Sequence, residues 1–282
     1  MKNTDSILKI IGDFENGVVT NRVIKYVNTS SKNNCIFVPN WRAKPHHWDG
    51  FCNFLAQFSN LDYFETREKP STKCVGFSFD QSNEKTASDV VCYINSINNM
   101  EYHLILCSFS APLVFSQWDK IHNKPKSLIL ICPIQRVMLP WPVRLFSSLP
   151  QYAFPLLYKM TFNLANRTKA VKAICNNHQD LFREGNMDKL IKFQSSVKEV
   201  LKLRVSFAAF EKTAIPTLVF KPLNDKVHCP KVCQKIHNSI KDSKLLEVEN
   251  FRLAHSVDVA KKINEFIHEQ NLTDAKSLLT PI

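Results

Sequence analysis

The chain has 282 residues, 44% of them apolar, enough for one large domain with an insertion and a continuous core, which excludes a disordered polypeptide. Its 37 basic against 25 acidic residues give a net charge of +12, yet the lysines are scattered and no run of like charge interrupts the apolar pattern, so no nucleic-acid partner is expected. Nine cysteines, an odd number, lie mostly in apolar segments; no secretory pattern opens the chain and no stretch of about 18 apolar residues occurs, which points to the cytoplasm and to no membrane span.

In chain order, ILKIIGDF and VVTNRVIKYV flank Glu15-Asn16-Gly17, residues that tolerate a tight turn, and predict an opening antiparallel hairpin. Cys35 to Val38 is a short buried strand stopped by Pro39, and Trp48, Phe51, Leu55 and Phe58 then recur at helical spacing. Leu61 to Phe64 is the next strand, followed by a charged stretch, Glu65 to Pro70, that reads most simply as an exposed, salt-linked loop. Ser88 is placed to cap a helix with Val91, Ile94 and Ile97 on its inner face.

The alternation continues with Tyr102 to Leu106 as strand, Val114, Trp118 and Ile121 as helix, and Ser127 to Cys132 as strand. After Pro133 the rhythm breaks for about eighty positions, then resumes with a strand at Thr217 to Phe220, a helix carrying Val232, Ile236 and Ile240, a strand at Lys244 to Val248, and a closing helix with Val259, Ile263, Phe266 and Ile267. Short apolar strands alternating with amphipathic helices predict a doubly wound α/β fold, with a mainly parallel sheet covered on both faces. The expected division is a core of residues 1–134 and 213–282, with residues 135–212 inserted as a helical cap.

In such a sheet reactive groups collect at the carboxyl ends of the strands. A serine lies there in Leu106-Cys107-Ser108-Phe109-Ser110-Ala111, an acid in Pro222-Leu223-Asn224-Asp225, and a histidine in Phe251-Arg252-Leu253-Ala254-His255-Ser256. These segments, in the order Ser, Asp, His, resemble the nucleophile elbow, acid loop and histidine loop of the α/β-hydrolase superfamily, and the resemblance runs from about Ile7 to His268. It implies an eight-stranded sheet with a cap after the sixth strand, and a triad of Ser108, His255 and Asp225. The backbone N–H groups of Phe109 and of Trp41, in Pro39-Asn40-Trp41-Arg42, would form the oxyanion hole. Leu106 and Pro39-Asn40 depart from the family's glycines, and a shifted frame makes Ser110 the nucleophile instead.

Other reactive side chains have plainer readings. Cys107 fits strand packing, His46-His47 a loop entering a helix, and Cys229, Cys233 and His237 share a helix that Val232, Ile236 and Ile240 already commit to the core, so neither a metal nor a cofactor is expected. Between Arg136 and Lys212 stand thirteen Lys or Arg against five Asp or Glu, and from Val137 to Asn166 an apolar, proline-broken run has no acidic residue. Trp141, Phe146, Phe154 and Leu157 in that run are the candidate substrate-binding residues. The expected substrate is a small molecule, an acyl ester or thioester with its apolar chain under the lid. The basic charge would suit an acidic carrier, a phosphorylated leaving group or peripheral contact with an anionic membrane. Against the serine hydrolase stand acyl transfer from the same acyl-enzyme and a non-catalytic ligand-binding module on this fold.

Overall fold

The computed structural model describes residues 7–74, 80–97, 100–139, 187–225 and 227–279, with Arg144, Ser147, Ser148, Pro150 and Ala153. The opening hairpin forms as its turn residues require. β1 (Leu8–Asn16) pairs antiparallel with β2 (Val19–Val27) from Leu8↔Val27 to Asn16↔Val19, leaving a two-residue loop in which Gly17 takes φ 62°. The other strands are β3 (Asn34–Val38), β4 (Asn60–Phe64), β5 (Lys73–Cys74), β6 (His103–Cys107), β7 (Ser127–Ile131), β8 (Thr217–Pro222) and β9 (Ser243–Val248). Eight of them run in the order β1-β2-β4-β3-β6-β7-β8-β9, and the two-residue β5 adds to β2. β2 is antiparallel to both neighbours, and every pair from β4 to β9 is parallel.

The central parallel strands β3, β6, β7 and β8 are almost wholly buried because both of their faces are covered, whereas the edge strand β9 keeps Lys244 and Glu247 exposed. Successive residues feed opposite cores. Cys35, Phe37, Ile105, Ile129 and Leu218 pack with Trp48, Phe51 and Leu55 around α1 (Asp49–Leu55) and with Val259, Ile263 and Phe266 of α7 (Val257–Leu279). Ile36, Val38, Leu104, Leu106, Leu128 and Val219 point the other way. They meet Val90 and Ile94 of α2 (Asn83–Ser96), Val114 of α3 (Ser110–Phe115), and Ile236 of α6 (Pro230–Ser239).

Some boundaries differ from the sequence reading for local reasons. α2 starts at Asn83 because Ser82, not Ser88, caps it, its Oγ accepting from the Lys85 N–H at 3.3 Å. α1 stops at Leu55, leaving Phe58 beyond its end, and α3 is only one and a half turns before the chain passes into a 3₁₀ turn at Trp118–Lys120. In the region expected to form the cap, the described helices are α4 (Met187–Lys202) and α5 (Phe207–Glu211), and Phe210 of α5 is buried in the second core.

The charged stretch after β4 is the largest correction, because it is buried and not exposed: Glu65, Thr66, Arg67, Glu68 and Lys69 are each 5% accessible or less. Its charges are matched. Arg22 Nε reaches Glu65 at 2.5 Å, Arg67 grips Asp89 through Nε and Nη2 at 2.6 and 2.7 Å, and Lys69 Nζ meets Glu68 at 2.8 Å. Ion pairs with this many hydrogen bonds offset much of the desolvation cost that excludes lone charges from an interior.

The carboxyl ends of β3, β6 and β7 lie side by side, and the three non-glycine residues with left-handed φ among the described residues follow them: Arg42 (52°), Ser108 (53°) and Cys132 (47°). Such backbone costs about 1–3 kcal/mol per residue and persists where the surroundings over-determine it, often at functional sites.

Candidate active site

β6 delivers Ser108 to this edge. The chain must turn from a fully buried strand into α3 within two residues, and Ser108 makes that turn at φ 53° while its N–H donates to Ile131 O at 2.9 Å. Ser110 serves the turn from inside: its Oγ accepts from the Cys107 N–H at 2.7 Å and donates to Val38 O at 2.7 Å, with no exposed surface. Those bonds make Ser110 a structural brace and leave Ser108 as the hydroxyl at the bend. Burial pushes the Cys107 thiol far above its usual range, so it stays protonated and unreactive.

The partner of Ser108 is not the histidine that the sequence pattern singled out. His228 Nε2 lies 2.8 Å from Ser108 Oγ, and both side chains are buried. Asp225 stands three residues earlier. Its Oδ1 accepts from the N–H groups of Val227 and His228, both at 2.8 Å, and lies 3.3 Å from His228 Nδ1, a close contact without the alignment of a formed hydrogen bond. Acid and imidazole thus come from one tight turn after β8. The signal was an aspartate whose carboxylate can bond the N–H groups two and three residues on, with a histidine at the far end of that turn.

His255, the expected base, occupies a 3₁₀ turn, Leu253–His255, after β9. Its ring lies 4.1 Å from that of Trp48 and 4.9 Å, edge to face, from that of Phe251, and its Nε2 is buried with no hydrogen-bond partner among the described residues. Phe251 in turn stacks on His228 at 3.8 Å and 12°. The loop after β9 therefore gives His228 an aromatic wall. Burial lowers both imidazoles: His255 falls to about 4, helped by His47 and His228, whereas Asp225 offsets part of the effect at His228, which stays lowered. Asp225 is itself held below its usual range: burial would raise it, but the turn N–H groups and His228 outweigh that.

Across from Ser108 runs the turn Asn40–Ala43, closed by Ala43 N–H to Asn40 O at 3.0 Å. Arg42 takes the positive φ there, and its N–H donates to Glu68 Oε1 at 3.2 Å. Trp41 stacks on Phe193 of α4 at 6.2 Å, with the Arg42 guanidinium 4.9 Å from the same ring. Phe109 is buried in a cluster with Leu113, Ile134, Val200 and Leu203, against which Trp41, Val137 and Leu139 pack. The two candidate oxyanion residues thus meet on one apolar patch.

Trp141, Phe146, Phe154 and Leu157 lie outside the described residues. Beside the patch is a cavity of about 590 Å³ whose lining includes Val137, Leu139 and Leu201 and three arginines, Arg136, Arg144 and Arg204. Among the described residues no three His, Cys, Asp or Glu side chains are grouped to hold a metal ion; Cys233 instead donates to Pro133 O and His237 bonds Ser243.

No family model and no curated protein matches the chain. Solved structures do. A 2-hydroxy-6-oxo-6-phenylhexa-2,4-dienoate hydrolase from Rhodococcus sp. strain RHA1 is 13% identical with a TM-score of 0.68, over 93% of this chain and 100% of that one. A haloalkane dehalogenase variant from Bradyrhizobium elkanii is 10% identical with a TM-score of 0.68, over 95% and 99%. A thermophilic esterase from Thermogutta terrifontis is 13% identical with a TM-score of 0.64, over 94% and 99%.

Proposed function

On this α/β-hydrolase fold, we propose that the chain is a serine hydrolase that cleaves an acyl ester or thioester, with Ser108 as nucleophile, His228 as general base and acid, and Asp225 as the carboxylate that orients it. The observation that carries the reading is the 2.8 Å contact between Ser108 Oγ and His228 Nε2 at a strained strand-to-helix turn. A serine hydroxyl is a weak nucleophile until an imidazole removes its proton. Burial keeps His228 neutral at pH 7, and Asp225 favours the tautomer with the proton on Nδ1, leaving Nε2 free to accept.

In the reaction the Ser108 proton passes to Nε2 as Oγ attacks the acyl carbon, and Asp225 stabilises the imidazolium formed. The oxyanion lies between the N–H groups of Trp41 and Phe109. Nε2 then returns the proton to the leaving oxygen or sulfur, and water activated by the same nitrogen releases the acid. Transfer of the acyl group to an alcohol or amine uses the same acyl-enzyme.

In this reading the segment between β7 and β8 has the role of a cap, and what supports it among the described residues is Phe193 of α4, which stacks on Trp41 at 6.2 Å. The arginine-lined cavity supports an anionic group on the substrate, such as a phosphorylated leaving group or an acidic carrier. Arg136, Arg144 and Arg204 have no carboxylate partner among the described residues, and guanidinium groups bind phosphate in bidentate fashion. Cys35, Cys52, Cys92, Cys107, Cys132, Cys229 and Cys233 are free thiols, which supports a reducing compartment such as the cytoplasm.

A fluorophosphonate probe tests the reading. Wild type becomes labelled and Ser108→Ala does not; folded wild-type protein that resists the probe would turn the reading to a non-catalytic binding module.

A further inference from the structure

Lys69 has no accessible surface, follows β4 rather than a strand that carries a reacting group, and takes no part in proton transfer. A fully buried ammonium is costly unless its bonds repay the desolvation. Here they are specific. Nζ donates to Glu68 Oε1 at 2.8 Å and to the Asn40 carbonyl at 2.5 Å, and the same Glu68 Oε1 accepts the Arg42 N–H at 3.2 Å. The Lys69 and Thr72 carbonyls are held by Lys192 Nζ at 2.7 and 3.0 Å, which ties this loop to α4.

The Asn40 carbonyl and the Trp41 N–H belong to one peptide group. The unit is planar and trans, so fixing the direction of C=O fixes that of N–H on its opposite side. A cation on the carbonyl oxygen also draws electron density through the amide and makes the N–H a stronger donor, as hydrogen bonds in a chain polarise one another. Both lone pairs of Asn40 O are engaged, one by Lys69 and one by Ala43 N–H, so the plane has no freedom to rotate. Glu68 fixes the next amide, at the residue whose φ of 52° an L side chain rarely adopts.

Resting on the proposed hydrolase mechanism, we propose that the buried Glu68–Lys69 pair is a positioning device for the oxyanion hole, with Lys69 orienting and polarising the Asn40–Trp41 peptide so that the Trp41 N–H meets the developing oxyanion. Lys69 acts on the reaction only through that amide. Its charge stabilises the transition state more than the bound ester, because negative charge on the carbonyl oxygen is greatest there.

The test compares wild type with Lys69→Met and with the charge-balanced Glu68→Gln/Lys69→Met, which avoids an unpaired buried carboxylate. On p-nitrophenyl esters kcat and the fluorophosphonate labelling rate are expected to fall about 10- to 100-fold, less than the roughly 10²–10³-fold cost of deleting a donor, with KM nearly unchanged. The Trp41 amide ¹⁵N resonance reads the same contact without turnover and should move upfield in both variants. A double variant with wild-type Tm that keeps wild-type kcat, or a Trp41 resonance that does not move, overturns the inference. Wild-type protein that is not labelled overturns the hydrolase reading instead, and the resonance still decides whether Lys69 sets the amide.

Discussion

The loops after β8 and β9 leave adjacent parallel strands and extend their pairing side by side, Leu223 N–H to Val248 O at 2.8 Å and Asn224 N–H to Glu249 O at 2.9 Å. Each ends in a histidine, and the two rings have opposite surroundings. His228 has a hydroxyl at one nitrogen and a carboxylate near the other. His255 has Trp48 and Phe251 around its ring and a buried Nε2 without a partner. A general base needs polar contacts on both sides, one to receive the proton and one to hold the tautomer. The first loop supplies the imidazole and its carboxylate within four residues and meets the Ser108 hydroxyl, and the second supplies apolar walls.

The sharpest way to break this contrast is to remove each imidazole in turn. His228→Ala is expected to lower kcat/KM by about 10⁴-fold or more, and His255→Phe by only a few-fold, because only the first loses the proton acceptor. Esterase kinetics on a neutral ester checks both; equal losses, or the larger loss at His255, would reverse the assignment. Asp225→Asn comes next, at roughly 10³- to 10⁴-fold, since it removes the charge that holds the tautomer and stabilises the imidazolium. Unchanged turnover in that variant would leave a Ser108–His228 dyad without a working acid.

The sheet was legible in the sequence because strands buried on both faces read as apolar runs and their covering helices keep a regular period. Ser108 and Asp225 were legible as short polar breaks at strand ends. His228 was not, because a search by strand order looks for the base after the next strand, whereas the turn of Asp225 brings its own histidine to Ser108. The loop 65–69 was misread for a related reason. Charge density suggests solvent, and nothing local reveals that Arg22 and Asp89, contributed by β2 and α2, match Glu65 and Arg67. Partners distant in sequence decide both cases.

His255 offers a test by stability. Its folded value of about 4 lies below the ordinary 6.5 of an unfolded histidine. Above pH 6.5 neither state binds a proton there. As pH falls from 6.5 towards 4 the unfolded chain takes up a proton that the native site refuses, so stability is lost across that window, by up to about 3 kcal/mol. His255→Phe should flatten this part of the dependence of stability on pH, seen in urea midpoints at pH 7 and pH 4.5. A variant as acid-sensitive as wild type would place the burden on another group.

The smallest effect is the most specific. His228 must be neutral to accept the Ser108 proton, and burial sets its value below 6.5 with Asp225 partly restoring it. On a neutral ester kcat/KM should therefore rise with pH along an acid limb whose midpoint lies under 6.5, and be level near pH 7. In Asp225→Asn the restoring charge is gone, so the limb of the residual activity should move to lower pH. In His255→Phe it should move far less, since His255, with a value of about 4, is uncharged over most of that range and meets His228 only by way of Phe251. A limb that moved with His255 and ignored Asp225 would mean that the titrating base sits after β9, and the contrast between the loops would have to be drawn the other way.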